Sequence, residues 1–251
     1  MSAHTLLLDM DGVLAEVSQS YRTAIVETCH AYGAKSVNLD LIGEWKVRGG
    51  CNNDWVLSRD LILASNDEGV DKTVTLDQVT KTFEKFYQGS DGRPGLCDLE
   101  TLIPSPEILK ELHRRTNGRI AIVTGRPHKD CQKFLKLQNI DNLVKCCVCM
   151  EDGPPKPNPF PVQHACKLLG VECSSDVIMV GDTPDDIRAA VACGCTGVGV
   201  TTPEAAEELK ATGRNHDEAK LAVAMKECGA SIILEPGFSK LVDVFPANPT
   251  A

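Results

Sequence analysis

Short apolar runs rich in Val, Ile and Leu recur along the chain at HTLLLD, RIAIVTG, VKCCVCM, DVIMVGD, CTGVGV and ASIILE. Each is bounded by polar or glycine residues and has the length of a strand buried on both faces. Between most of them the apolar period changes to that of a helix. In SPEILKELHRR, Ser105 is placed to cap the helix end, Pro106 fits its first turn, and Ile108, Leu109 and Leu112 make one face. Strand and helix alternate in this way from about residue 100 to residue 244. The pattern predicts an α/β sandwich, a mostly parallel sheet covered by helices.

Residues 16–98 break the alternation. SQSYRTAIVETCHAYG sets Tyr21, Ile25, Thr28, Cys29 and Tyr32 on one helical side and stops at Gly33. LDQVTKTFEKFYQG aligns Val79, Phe83, Phe86 and Tyr87 before Gly89, and DWVLSRDLILAS is a less cleanly periodic third helix. The segment reads as a small helical domain inserted after the first strand, with SDGRPG as the return hinge. The predicted division is a core of residues 1–15 and 99–251 and an inserted cap of residues 16–98. No internal repeat or low-complexity tract interrupts it.

Composition narrows the function classes. A length of 251 residues suffices for one large domain or two small ones. A formal net charge of -9 argues against a nucleic-acid or anionic-membrane surface, since phosphates attract clustered Lys and Arg. Leu6 to Leu8 is too short a run, and too soon followed by Asp9, to form a signal-peptide core. No run approaches the roughly 18 apolar residues of a membrane span. The expectation is a cytoplasmic protein whose 12 cysteines are reduced and mostly buried. Cys146 and Cys149 have CxxC spacing, but on a strand residues three apart face opposite ways, which argues against one shared metal ion.

The polar residues at the strand ends carry the chemistry. In LLLDMDGVLAEV, Asp9 and Asp11 stand two apart and aim together as the first strand leaves the sheet, and Gly12 permits a sharp turn. In open α/β sheets the carboxyl ends of strands form the ligand crevice. Two carboxylates so close repel, which raises the pKa of one unless a cation sits between them. Taken alone, DxDG is read equally well as a pair of turn caps. RIAIVTGRP ends with Thr124 and Gly125, a hydroxyl and an unhindered amide suited either to phosphate oxygens or to a helix cap. EDGPPKPNP holds Lys156 among four prolines, either as a fixed ammonium or as a solvated linker residue. DVIMVGDTPDDI ends a strand with Asp182. Thr183, Pro184, Asp185 and Asp186 satisfy a helix start, whereas Asp182 beside Gly181 is better explained by a hard cation bound through oxygen.

These four stretches, in this order, resemble the haloacid dehalogenase superfamily, and most closely its phosphoglycolate-phosphatase-like branch with a helical cap between the first and second motifs. The resemblance implies a Rossmann-like three-layer α/β sandwich with an inserted α-helical cap. It also implies an Mg2+-dependent phosphatase that hydrolyses a small-molecule phosphate monoester through an aspartyl-phosphate. Asp9 is then the nucleophile, and Asp11 protonates the leaving alcohol and later helps water attack the phosphoenzyme. Thr124, the Gly125 amide and Lys156 hold the phosphoryl oxygens. Asp9, the Asp11 main-chain carbonyl and Asp182 bind Mg2+, with Asp186, or Asp185 in its place, supporting the metal shell.

Asp11 separates this reading from the metal-independent dehalogenases of the superfamily, which lack an acid at that place. A sugar phosphomutase shares Asp11 and is the enzymatic alternative; a non-catalytic descendant that binds a phospho-ligand or a protein partner is the alternative from another class. The expected partner is a small phosphorylated metabolite, and the residues specify neither the ester nor an oligomeric state. Within the cap, WKVRGGCNNDW reads as a flexible basic loop in which Lys46, Arg48 and Asn52 close over the substrate. The same stretch reads equally as a solvated pair of charges beside a helix capped by Asn52 or Asn53.

Overall fold

The computed structural model describes residues 5–90, 92–211, 213 and 218–245. Residues 1–4, 212, 214–217 and 246–251 of the predicted core, and Asp91 of the predicted return hinge, lie outside the described residues. The chain forms two compact units, one of Met1–Glu16 with Leu102–Ala251 and one of Val17–Thr101.

Along the chain, β1 (Thr5–Leu8) and β2 (Ala15–Glu16) precede α1 (Tyr21–Ala31), α2 (Leu39–Arg48), α3 (Asp54–Ala64) and α4 (Leu76–Gln88). They are followed by β3 (Thr101–Leu102), α5 (Pro106–Arg115), β4 (Ile120–Val123), α6 (His128–Leu137), β5 (Cys146–Val148) and α7 (Phe160–Leu169). The remainder is β6 (Val177–Gly181), α8 (Pro184–Ala192), β7 (Thr196–Val200), α9 (Pro203–Ala211), α10 (Lys220–Glu227) and β8 (Ile233–Leu234).

The first unit is an α/β fold around a six-stranded sheet in the order β5-β4-β1-β6-β7-β8, and every neighbouring pair is parallel. All six apolar runs supply a strand. Leu7, Ala121, Val123 and Met179 pack against Val162, Ala165 and Cys166 of α7 and Ala189 and Ala190 of α8. The alternate residues Leu6, Leu8, Ile120, Ile122, Ile178 and Val180 are buried as well, so both faces of the sheet are covered. Each such side chain contributes about 1.5–3 kcal/mol on burial, which fixes β1 at the sheet centre and Asp9 with it. Ser105 caps α5 by accepting from the Ile108 amide at 3.4 Å, with Pro106 in the first turn.

The second unit packs α1 against α3 and α4. Tyr21, Ile25, Thr28 and Cys29 are buried on α1, and Val79, Phe83 and Tyr87 on α4, with the Tyr21 and Tyr87 rings 4.2 Å apart. Tyr32 and Phe86 are half-buried, and the Tyr32 hydroxyl donates to the Gln78 carbonyl at 3.0 Å. This unit runs to Thr101 rather than ending at residue 98, because Glu100 is buried within it. Ser20 and Tyr87 both donate to Glu100 Oε1, at 2.8 and 3.1 Å.

WKVRGG is not a flexible loop. Lys46 and Arg48 occupy the last turn of α2, where positive charge suits the helix dipole, and only Gly49 to Asn53 link α2 to α3. Lys46 Nζ lies 3.5 Å from Asp54 Oδ1, and the Arg48 guanidinium lies 5.7 Å from the centre of the Trp45 ring. The cap of α3 is Asn53, which accepts from the Trp55 and Val56 amides at 3.1 Å each, and not Asn52.

Candidate active site

Parallel neighbours end on the same edge of a sheet, so β4, β1 and β6, adjacent at its centre, deliver their following residues to one crevice. The register pairs Leu8 with both Ile122 and Val180. Asp9 therefore leaves the sheet one residue before Thr124 and Asp182 do. After Asp9 the chain folds back at once, for the Met10 carbonyl accepts from the Leu14 amide at 2.9 Å and the Ala15 amide at 2.8 Å.

Oxygens of Asp9, Asp182 and Asp186 lie within 4.8 Å of one another, all buried. Lys156 is buried among them, its Nζ 2.8 Å from Asp9 Oδ1 and 2.5 Å from Asp186 Oδ1, and it donates to the Val123 carbonyl at 2.8 Å. Asp186 Oδ2 accepts from the Thr183 amide and hydroxyl at 3.0 and 2.6 Å, while its Oδ1, though charge-paired with Lys156, receives no aligned hydrogen bond among the described residues. Burial pushes the Asp9 carboxyl well above its usual range; Lys156 pulls it back, and Asp186, Asp182 and Asp11 push it up again. Burial also works against charge on Lys156, but Asp186 and Asp9 outweigh it and hold the ammonium above its ordinary pKa.

Three hard carboxylates meeting at a buried point form a donor set suited to a divalent cation. Asp185 does not join it. That residue, equally buried, pairs with Arg188 at 3.1 Å, so geometry separates it from Asp186.

Thr124 is buried, and its Oγ1 accepts from the Arg126 amide at 3.1 Å, with Gly125 half-buried between them. Asp11 is held by a residue that the sequence motifs passed over. Arg126 Nε donates to Asp11 Oδ1 at 2.7 Å and its Nη2 reaches the same oxygen at 2.6 Å. The Arg126 guanidinium also lies 5.5 Å from the centre of the Phe134 ring, and the residue is 2% exposed. The available signal was a basic residue between Gly125 and Pro127, immediately beyond a buried strand. Lys46, Arg48 and Asn52 belong to the second compact unit.

Two glycines make the close approach possible. Gly12 has φ of 76°, and a Cβ there would stand 2.4 Å from Asp182 Oδ2. A Cβ on Gly181 would stand 2.1 Å from Asp186 Cβ. Gly12→Ala is expected to cost about 1–3 kcal/mol from backbone strain alone and to displace Asp182. Chemical denaturation and activity measured together check this; an alanine variant with parental values in both would show that the loop relaxes freely.

Comparison with known proteins agrees with this geometry. Residues 3–194 match the family model for haloacid dehalogenase-like hydrolases. A phosphoglycolate phosphatase from Colwellia psychrerythraea is 30% identical over 199 residues, covering 78% of this chain and 83% of that protein. An imidazoleglycerol-phosphate dehydratase from Phytophthora nicotianae is 46% identical over 248 residues, which is 98% of this chain but 53% of that protein, so the chain spans about half its length. The crystal structure of a haloacid dehalogenase-like hydrolase from Bacteroides fragilis superposes with a TM-score of 0.72 at 19% identity, over 95% of this chain and 99% of that one. The chain belongs to the haloacid dehalogenase-like hydrolase family, in its phosphoglycolate-phosphatase-like branch. No helix among the described residues is long and apolar enough to cross a membrane.

Proposed function

We propose that the protein is an Mg2+-dependent phosphatase that hydrolyses a small phosphate monoester through an aspartyl-phosphate on Asp9. The observation that supports this best is the meeting of Asp9, Asp182 and Asp186 around the buried Lys156 at the ends of adjacent strands. Asp9, Asp182 and Asp186 are the side chains that would hold the cation, and the bound ion would supply positive charge favouring their ionised forms and offsetting that of the phosphoryl group.

Asp9 attacks phosphorus through one carboxylate oxygen; as that bond forms, the bond from phosphorus to the ester oxygen breaks, and Asp11 gives the departing oxygen its proton. Asp11, now ionised, accepts a proton from a water that attacks the phosphoenzyme, which releases inorganic phosphate and restores Asp9. Thr124, the Gly125 amide and Lys156 donate to the phosphoryl oxygens throughout. Arg126 fixes the side chain of Asp11 between these roles. A cytoplasmic location is part of the same proposal, since a reducing compartment keeps the twelve cysteines as thiols.

The names of the relatives set the test panel. Phosphoglycolate is the first ester to assay, because the chain covers 83% of phosphatases named for it. Imidazoleglycerol phosphate is the second, on the strength of the half-length match. Phosphate release should require Mg2+, stop on chelation and return on readdition. Interconversion of sugar phosphates without phosphate release would assign a mutase, and binding without turnover of any ester would assign a non-catalytic descendant.

Arg126→Ala is expected to lower kcat by about 10-fold to 100-fold with a smaller effect on KM, because a misplaced Asp11 impairs proton transfer more than binding. Arg126→Lys should recover part of the loss, since it keeps the charge but not the fork. A change confined to KM would place Arg126 among substrate contacts instead.

A further inference from the structure

A second cluster of metal-ligating side chains lies in the first unit, away from the carboxylates. The sulfurs of Cys166, Cys173 and Cys195 lie within 4.8 Å of one another. They come from separate segments: Cys166 from α7, Cys173 from the loop between α7 and β6, and Cys195 from the residue before β7. Cys193, the residue capping α8, lies outside that group and donates to the Pro159 carbonyl at 3.4 Å. We propose that Cys166, Cys173 and Cys195 form a structural zinc site in which Cys193 swings in as the fourth ligand.

The donor set selects the metal. Soft sulfur ligands with no carboxylate or imidazole among them favour Zn2+ or Cu+, and four donors suit the tetrahedral Zn2+ site. With Zn–S near 2.3 Å, the edges of an S4 tetrahedron are about 3.8 Å, so the three clustered sulfurs must close by on the order of 1 Å at most and Cys193 must move farther. Cys193 completes the set by giving up its bond to the Pro159 carbonyl. Cys166 and Cys195 are buried, whereas Cys173 and Cys193 are half-buried, which gives an ion a route of entry.

Single buried cysteines pack as small hydrophobes, and Cys29 is buried with one hydrogen bond, to the Ser58 carbonyl. Convergence of three thiols from three parts of the chain serves packing no better than alanine or valine would.

The position implies a structural part. Cys173 and Cys195 precede β6 and β7, at the opposite ends of these strands from Asp182. Five residues of β6 separate the two sites by about 16 Å. Zinc there would clamp α7, α8, β6 and β7 from below, and the ligands would release their protons as it binds.

The test uses the full chain produced with zinc supplied and purified under reducing conditions. Elemental analysis should find close to one zinc per chain. Replacement by Co2+ should give the intense visible bands and near-ultraviolet sulfur-to-cobalt charge transfer of a tetrahedral thiolate site, which Co2+ on carboxylates does not produce. Cys173→Ser and Cys195→Ser should each lose these bands, while Cys228→Ser, outside the cluster, should keep them. If Cys195→Ser fails to fold, the half-buried Cys173→Ser decides the matter. No sulfur charge transfer in the parent, bands that survive Cys173→Ser, or a native disulfide between any two of the four would each overturn the site.

Discussion

Asp9→Asn is expected to abolish turnover and yet to make the metal-free protein more stable. Loss of turnover follows from the chemistry, since an amide oxygen cannot serve as the nucleophile that forms an aspartyl-phosphate. The gain in stability follows from the setting. Asp9 is buried beside Asp182, Asp186 and Asp11, and burial together with these charges outweighs the help of Lys156. A neutral amide of the same shape removes the repulsion, and Lys156 keeps Asp186 and the Val123 carbonyl as partners. The expected gain is about 1 kcal/mol, a rise in Tm of about 2–4 °C for a chain of this size. Its pH dependence has a definite sign. A carboxyl raised in the folded state contributes fully below its unfolded pKa of about 3.9, and the contribution is lost as pH rises through the folded value. The advantage of Asp9→Asn should therefore grow from acid toward neutral pH when measured in chelator, and shrink when Mg2+ is added. A variant less stable than the parent at neutral pH without metal would mean that the carboxylates are better compensated than the geometry indicates.

The parts of this site legible in the sequence are those on buried strands. An apolar run covered on both faces is hard to mistake, so β1, β4 and β6, the strands that Asp9, Thr124 and Asp182 follow, are readable from pattern alone. Lys156 was readable only as one of two alternatives, because nothing local shows that a lysine between prolines turns inward to a strand-end carbonyl. Arg126 left a fainter trace, since its partner Asp11 is distant in sequence and an arginine after a strand is ordinarily solvated.

In the second unit, α2 escaped because LDLIGEWKVR buries only Ile42 and carries Gly43 in its middle, so its apolar stripe is too weak to register. Its last turn consequently reads as a loop from sequence. The four thiols were invisible for another reason. Their spacing, 166, 173, 193 and 195, has meaning only once α7 and α8 lie side by side on the sheet. The one local signal, CxxC at Cys146 and Cys149, lies elsewhere, on and just after β5.

The other large effect expected is that of Lys156→Met. The lysine carries the only positive charge that the ion pairs and hydrogen bonds described above place against both Asp9 and Asp186, and it is 3% exposed. Methionine matches its length and fills the space but leaves two buried carboxylates facing each other and the Val123 carbonyl without its donor. Breaking a buried pair by removing one partner costs about 3–5 kcal/mol, far more than the pair adds over an apolar substitute. Urea denaturation in chelator should register a loss of that size. Adding Asp9→Asn to Lys156→Met should restore part of it, so the double variant is destabilised less than the two separate effects would give, a coupling that a double-mutant cycle reads directly. Turnover should fall by about 10²-fold or more even where Mg2+ stabilises the variant, because a donor to the phosphoryl oxygens is gone. A loss below about 1 kcal/mol with additive double-variant behaviour would show that the ammonium is not the counterion of the buried carboxylates, and Lys156 would then have to act on substrate alone.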